Sequence, residues 1–307
     1  MSRQQRSNAH PVILIVGAGS LGKGLAALLG GQTSVMMYER NFSTSRELRK
    51  GYFVFQENKR AQKVKVQAIR SLAELQGTRI DILIFATKIM DLKKAVAEAA
   101  GLEPRYILFP QNGIFDISWT KQLFKTAQIC RGVTTMACQE AASGQVTLFY
   151  RGCLYIGGEG AKELAVIFRK AGINAKAFRN SIGSIWAKLI FSAVMNPLPV
   201  ITGQGYDVLS KDQKIWKLVR QAIEEGKATA RALRVRLAFN PLKLIQRVRD
   251  GDLAGISHRG TIFQDISVGR PTEIDFITKA LIRLARQKKI KTLALGTIYS
   301  RARAAGA

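Results

Sequence analysis

The chain is poor in the residues from which metal centres and disulfide frameworks are built, with three cysteines and two histidines in 307 residues. Cys130, Cys138 and Cys153 make no CxxC pair. Neither a zinc ribbon nor a thioredoxin-like redox motif can be assembled from them, no metal site is expected, and reduced, packed thiols are the natural reading. Long apolar runs are missing as well. Gly, Lys or Asp interrupts the apolar stretches, and the N-terminal MSRQQRSNAH has no apolar h-region. Neither a membrane span nor a signal peptide is therefore expected, and the cytoplasm is the expected compartment.

Acidic residues are scarce too, with 21 Asp and Glu against 48 Lys and Arg and a formal charge of +27. Such an excess raises nucleic acid or an anionic membrane surface as a partner. Its distribution argues against a dedicated patch: residues 1–178 hold 25 basic and 12 acidic residues, residues 179–307 hold 23 and 9. No recognised nucleic-acid module accompanies the charge, so a generally basic surface suited to small anions is preferred, without a specific nucleic-acid partner. Hydrophobic residues make up 47% of the chain and the mean hydropathy is +0.01, which points to a globular protein long enough for two domains.

What is present starts at residue 12. In VILIVGAGSLGKG, the apolar run Val12 to Val16 leads into Gly17, Ala18, Gly19, Ser20, Leu21 and Gly22, the G-x-G-x-x-G order of a dinucleotide-binding turn. Leu21, Leu25, Leu28 and Leu29 then recur at helical spacing. The motif thus has the strand before it and the helix after it that its chemistry needs. The first glycine permits the tight turn, the second admits a pyrophosphate and the third allows close helix–strand packing. The free N–H groups and positive dipole end of the helix would hold the phosphates.

The first half alternates strand-like segments (Val12 to Val16, Ser34 to Tyr38, Val64 to Val66, Ile80 to Ala86, Tyr106 to Phe109) with helical or loop stretches such as Asp91 to Ala100. This predicts an α/β parallel sheet. Gly144 to Tyr150 and Cys153 to Ile156 are close enough to form an antiparallel pair. From Asn180 onward strand signals stop, and Ile185 to Val194, Ile215 to Ala232, Pro241 to Val248 and Ile274 to Gln287 read as helices. The expected organisation is a dinucleotide-binding domain over residues 1–178 and an all-helical substrate and catalytic domain over residues 179–307.

Glu39, 22 positions after Gly17, stands where an acid would hold a ribose 2′-hydroxyl, and the adjacent Arg40 favours a 2′-phosphate. The guanidinium's match to phosphate favours NADP over NAD. Lys88 and Gln111-Asn112-Gly113 follow apolar strands and should border the cleft beyond the strands' carboxyl ends. In SIWAKLIFSAVMNPLP, Lys188, Ser192 and Asn196 share one face of an apolar helix, where a buried lysine needs a partner or a ligand. Pro197 marks that helix's end. Thr272-Glu273-Ile274-Asp275 has the form of a capping box, which explains Thr272 and Asp275 and leaves Glu273 either as a favourable first-turn charge or as a residue facing the cleft.

Together these residues resemble the ketopantoate reductase family. The matching pieces are GAGSLG, Arg40, Thr87-Lys88, Gln111-Asn112-Gly113, Gly132-Val133-Thr134-Thr135, Trp186-x-Lys188-Leu189 with Asn196-Pro197, and Gln264-Asp265 followed by Gly269-Arg270-x-Thr272-Glu273-Ile274-Asp275. The resemblance implies a doubly wound, Rossmann-type α/β domain followed by an all-helical domain, and NADPH-dependent reduction of ketopantoate to pantoate on the route to pantothenate and coenzyme A. It implies Lys188 as general acid, Glu273 orienting the substrate hydroxyl, and Asn112 at the nicotinamide and substrate site. Lys88 would border cofactor and substrate, and Asn196 would hydrogen-bond the substrate. Two positions depart from the family pattern. Ser192 stands where a second asparagine is usual, and Thr261 where a substrate-binding serine is usual, so another 2-keto acid is the alternative substrate. A histidine common near Val146 to Phe149 is also missing. A non-catalytic dinucleotide-binding or nucleic-acid-associated protein is the least favoured reading, because such a protein needs neither Lys188 nor Glu273. The oligomeric state is left open, with a homodimer as one option.

Overall fold

Residues 10–31, 33–56, 61–141, 144–252 and 260–307 are described by a computed structural model of the chain, and the rest of the N-terminal segment read above lies outside them. In chain order the first half runs β1 (Val12–Val16), α1 (Ser20–Leu29), β2 (Ser34–Tyr38), α2 (Phe42–Lys50), β3 (Tyr52–Gln56), β4 (Gln62–Val64), β5 (Gln67–Ile69) and β6 (Ile82–Phe85). It continues with α3 (Leu92–Glu98), β7 (Tyr106–Phe109), α4 (Thr120–Leu123), β8 (Gln128–Thr134), β9 (Ala137–Glu140), β10 (Val146–Tyr150), β11 (Leu154–Gly158), α5 (Ala161–Lys170) and β12 (Ala175–Phe178).

The run Val12–Val16 can be wholly apolar because β1 sits in the middle of a sheet covered on both faces. It pairs in parallel with β2 on one side and β6 on the other. The full order is β12-β11-β8-β7-β6-β1-β2-β5, with only the β8–β11 pair antiparallel. Its parallel part, β5-β2-β1-β6-β7-β8, is the 3-2-1-4-5-6 order of a dinucleotide-binding fold, which reverses direction beside β1.

A second sheet, β4-β3-β10-β9, packs on the far side of α1. One apolar core runs from the main sheet through Leu25, Leu28 and Leu29 of α1 to Tyr52, Val54, Val146 and Leu148 of this second sheet. The expected pairing of Gly144 to Tyr150 with Cys153 to Ile156 is therefore wrong. Between β10 and β11 the chain passes from one sheet to the other at Gly152, whose φ is +58° and whose Cβ, if it had one, would lie 2.5 Å from the Met136 backbone N. A two-residue gap reads as a hairpin only when the chain stays in one sheet. Val64 to Val66 is also not one strand: β4 ends at Val64 in the small sheet, and β5 begins at Gln67 in the main one.

After β12 only helices follow among the described residues: α6 (Ile182–Met195), α7 (Leu198–Thr202), α8 (Val208–Lys211), α9 (Gln213–Ala232), α10 (Pro241–Arg249), α11 (Gly260–Ser267), α12 (Ala280–Gln287) and α13 (Leu293–Ala304). A helix that is apolar on all sides belongs in a core, and α6 is the centre of this half, packed by α9, α10, α12 and α13. The stretch Ile182–Thr202 is long and apolar enough to cross a membrane, yet most of it is buried by the fold. Thr272 to Asp275 does not form the expected capping box. The chain there enters a π-helical turn, Asp275–Lys279, without a side-chain cap, and Asp275 instead accepts a 2.8 Å bond from the Tyr299 hydroxyl.

A Cβ on Gly24 of α1 would lie 2.6 Å from Cys138 Sγ of β9, whereas one on Gly31 would meet nothing within 4 Å. Gly24→Val is expected to lower Tm by roughly 3–10 °C through overpacking, and Gly31→Ala to change it by about 1 °C or less, as read by thermal unfolding. An unchanged Tm for Gly24→Val would show that the second sheet does not rest on α1.

Candidate active site

Gly17 takes φ +106°, a conformation that side chains resist, and a Cβ there would approach the Thr87 backbone N to 2.9 Å. A Cβ on Gly22 would fall 2.1 Å from the Gly17 carbonyl oxygen, while Gly19 has open space beside it. Helix α1 begins at this turn with no side-chain cap and no acid in its first turn. Its leading N–H groups and positive dipole end therefore face outward unneutralised.

Three adjoining cavities run past this turn along the carboxyl ends of the main-sheet strands. The outer one is bounded by Gly17, Ala18, Glu39, Arg40 and Glu98. Here Arg40 Nη1 donates to Glu98 Oε1 at 3.0 Å, and the Tyr38 hydroxyl donates to Glu98 Oε2 at 3.1 Å. The Glu39 carboxylate accepts from the Asn41 N–H at 2.8 Å, so it is occupied by its own chain. Arg40 stays half-exposed.

The middle cavity is bounded by Gly19, Ser20 and Leu21 on one side and by Thr87, Lys88, Asn112, Asp265 and Glu273 on the others. Lys88 bridges the two halves of the chain: its Nζ ion-pairs with Asp265 of α11 and donates to the Pro271 carbonyl at 3.3 Å. Next to it the Ile89 N–H donates to Glu273 Oε1 at 3.0 Å. Burial holds the Asp265 and Glu273 carboxyls above their ordinary range, and the Lys88 charge opposes this in both, aided at Glu273 by the Ile89 N–H. Three buried polar atoms on these walls, Thr87 Oγ1, Gln111 Oε1 and Gln264 Nε2, have no hydrogen-bond partner among the described residues. Orphaned donors and acceptors beside an uncapped helix start are what a ligand of mixed polarity would satisfy, and the glycine cradle admits a dinucleotide.

The inner cavity sets the polar side chains of Lys188, Asn112, Asn196, Thr261 and several hydroxyl residues against an apolar wall that includes Met136, Phe191, Leu244 and Val248. Asn196 Nδ2 donates to Thr261 Oγ1 at 3.4 Å. Lys188 is buried on α6, its Nζ 4.7 Å from the centre of the Phe191 ring, and no carboxylate among the described residues pairs with it. Loss of water brings its amine down to about 8.

The structure thus brings Gly17 to Leu21, Arg40, Lys88, Asn112, Glu273, Thr261, Asn196 and Lys188 onto one run of cavities, while Gly22 is buried behind the turn and lines none of them. Glu273 lines the middle cavity and Lys188 the inner one. Ser192 is not on these walls: it is fully buried, and its Oγ has no partner among the described residues. Sequence reasoning gave no role to Asp265, and it did not single out Glu140 and Lys23. Lys23 was visible as the one charge in the apolar helix SLGKGLAALL, but its partner lies 117 residues away.

Two family models match the chain, "Ketopantoate reductase PanE/ApbA" over residues 13–159 and "Ketopantoate reductase PanE/ApbA C terminal" over residues 180–306. The 2-dehydropantoate 2-reductase of Archaeoglobus fulgidus is 24% identical over 88% of this chain and 90% of its own length. A crystal structure of a PanE/ApbA family ketopantoate reductase from Ralstonia eutropha superposes with a TM-score of 0.80 at 24% identity, covering 96% of this chain and 98% of that one. D-mandelate dehydrogenase, in a ternary structure with NADH and anilino(oxo)acetate, superposes with a TM-score of 0.82 at 24% identity over 96% of this chain and 98% of its own.

The folded-state value of Lys188, about 8, lies below its ordinary 10.5, so folding disfavours the charged amine. Between those two values the unfolded chain holds the extra proton and stability rises with pH; below about 8 the cost is fully present. Lys188→Met keeps the stem without the charge and is expected to raise Tm at pH 7 by roughly a few degrees, a gap that shrinks as pH rises past 8. A lower Tm for the variant at pH 7 would reveal a stabilising partner for the amine.

Proposed function

The chain belongs to the ketopantoate reductase family, and from that premise we propose that it is an NADPH-dependent reductase of ketopantoate, yielding pantoate for pantothenate and coenzyme A synthesis. The observation that carries this reading is Lys188, a buried amine with no carboxylate partner among the described residues, at the inner end of a cleft whose middle has the shape of a dinucleotide cradle. In this reading residues 1–178 bind the cofactor and residues 179–307 supply the substrate site and the acid.

A bound nicotinamide supplies the hydride that reduces the 2-keto carbon. Lys188 Nζ gives its proton to the oxygen of that carbon as negative charge develops there. Its lowered value brings the proton's departure close to neutral pH, where a general acid is most effective. Before transfer the same charge polarises the carbonyl in a site of low dielectric. Asn196 and Thr261 offer an amide and a hydroxyl to the substrate's polar groups. Glu273 and Asn112 stand where cofactor and substrate would meet, with a Glu273 carboxylate oxygen accepting a hydrogen bond from the substrate's hydroxyl. Gly17 to Gly22 and the start of α1 take the pyrophosphate, and Lys88 borders it. Arg40 favours a 2′-phosphate, which it would reach by leaving Glu98.

A second reading, reduction of a different 2-keto acid, is favoured by one specific feature: the inner wall is largely apolar, and Ser192, in place of the usual asparagine, does not reach it. A fold neighbour is named D-mandelate dehydrogenase and was solved with NADH and anilino(oxo)acetate.

The test is the initial rate of NADPH oxidation with ketopantoate for the wild type and for a folded Lys188→Ala variant. Turnover is expected to fall roughly 10²- to 10⁴-fold in the variant, as for loss of a general acid. Wild-type kcat is expected to decline as pH rises through about 8, because the acid form of Lys188 is lost there. Preference of the wild type for a branched or aryl 2-keto acid over ketopantoate would select the second reading. Equal kcat/KM with NADH and NADPH would remove the role given to Arg40.

A further inference from the structure

Glu140, at the end of β9, lines the middle cavity beside Gly19 and Ser20 and is the one acidic residue between Asp116 and Glu159. One of its oxygens is already held. Lys23, fully buried on α1, ion-pairs with Glu140 Oε1, and its Nζ also donates to the Gly144 carbonyl at 3.2 Å. Lys23 is fixed in turn, since the Tyr52 hydroxyl donates to its carbonyl oxygen at 2.7 Å and the Tyr52 ring lies 5.7 Å from Nζ. The Glu140 N–H donates to Ser20 Oγ at 3.1 Å, which ties the strand end to the glycine turn. The other carboxylate oxygen, Oε2, has no partner among the described residues, and the side chain keeps 22% of its surface exposed.

An ionised carboxylate can only accept hydrogen bonds. Beside a pyrophosphate it would repel, so it has to meet the part of a dinucleotide that offers donors. Glu140 is absent from the walls of the outer cavity, where Arg40 stands. The cavity it does line shares Ser20, Asn112, Thr134 and Thr261 with the cavity of Lys188. On that side a nicotinamide dinucleotide presents its second ribose and its carboxamide, whose hydroxyls and NH₂ group are donors. We propose that Glu140 binds the nicotinamide half of the cofactor through its free oxygen, with Lys23 as the positioning residue that sets it. This rests on the nicotinamide-cofactor reading given above.

The test compares two ligands by calorimetry: NADPH, and 2′-phosphoadenosine 5′-diphosphate, which keeps the adenosine half and both pyrophosphate phosphorus atoms but lacks the second ribose and the nicotinamide. In Glu140→Gln the amide oxygen still accepts from Lys23, but an NH₂ group now meets the cofactor's donors. Affinity for NADPH is expected to fall roughly 5- to 30-fold and affinity for the truncated ligand to stay within about twofold. The double variant Lys23→Met/Glu140→Met removes both charges together, which spares the fold an unpaired buried ion, and it is expected to show the same selective loss. Equal losses for both ligands would mean that the pair only shapes the turn, and no loss for either would remove Glu140 from the cofactor site; each overturns the proposal. Failure of the wild type to bind either ligand would overturn the dinucleotide reading and this role with it.

Discussion

The grip of two sheets on one helix is the constraint from which the rest of the site follows. Helix α1 can approach the main sheet because Gly22 has no side chain to strike the Gly17 carbonyl, and the small sheet because Gly24 leaves room for Cys138. Its apolar residues enter a single core shared by both sheets. A helix fixed on both sides cannot swing, so its N-terminal N–H groups keep one direction, toward the carboxyl ends of β1 and β6. Preorganised donors are worth more than mobile ones, since no ordering cost is paid when the anion arrives. The Lys23–Glu140 pair extends the same fixation to the cavity wall.

Polar contacts then set how the helical half meets this platform. Lys88 reaches Asp265, and the backbone of Ile89 reaches Glu273, so the loop after β6 is tied to the segments at the end of α11 and the start of the π-helical turn. Close approach of Gly113 to the Phe276 carbonyl adds a steric contact at the same seam. The buried charges here are not treated alike. Lys23 has Glu140 and Asp265 has Lys88, whereas Lys188 meets the face of an aromatic ring and no carboxylate among the described residues. A desolvated cation without an anion is costly, and the cost is borne at the place where an anionic substrate and a developing oxyanion would offset it.

What could be read in the sequence was local. The β1 turn and its helix were legible because strand, glycines and heptad-like leucines are contiguous, and the parallel sheet because apolar runs alternate with helical ones. Lys188 and Asn196 were legible as polar groups spaced along an apolar helix. Ser192 shares that spacing, but its short side chain sits between longer ones and stops below the cavity surface. Of the second sheet only β10 was legible, and its partner was misread. Its strand β4 reads QKV and β9 reads ACQE, neither with the alternation that marks a half-buried strand. The pairing of Lys23 with Glu140 and of Lys88 with Asp265 depends on the fold bringing distant segments together, and no spacing rule contains it. The capping pattern at Thr272 failed for a related reason, because Asp275 is taken by Tyr299 from α13.

The charge of +27 invites the idea that the cleft attracts its anions by a broadly positive wall, and the lining contradicts it. Glu39, Asp91, Glu98, Glu140, Asp265 and Glu273 all border the outer or middle cavity, six of a scarce 21 acids, against Arg40, Lys88 and Arg270. The acids are concentrated where the chain would bind anionic ligands, and the excess of base lies elsewhere. A distant positive surface acts only over the screening length of about 8–10 Å in physiological salt and raises encounter rates without choosing between anions. Discrimination has to come from the short-range groups, and there the acids have work that bulk charge cannot do. Glu98 holds Arg40 and Asp265 holds Lys88, each keeping a cation oriented at the cleft until a phosphate or carboxylate competes for it. Lys188 has no such keeper among the described residues, which leaves its charge to whatever oxygen enters the inner cavity.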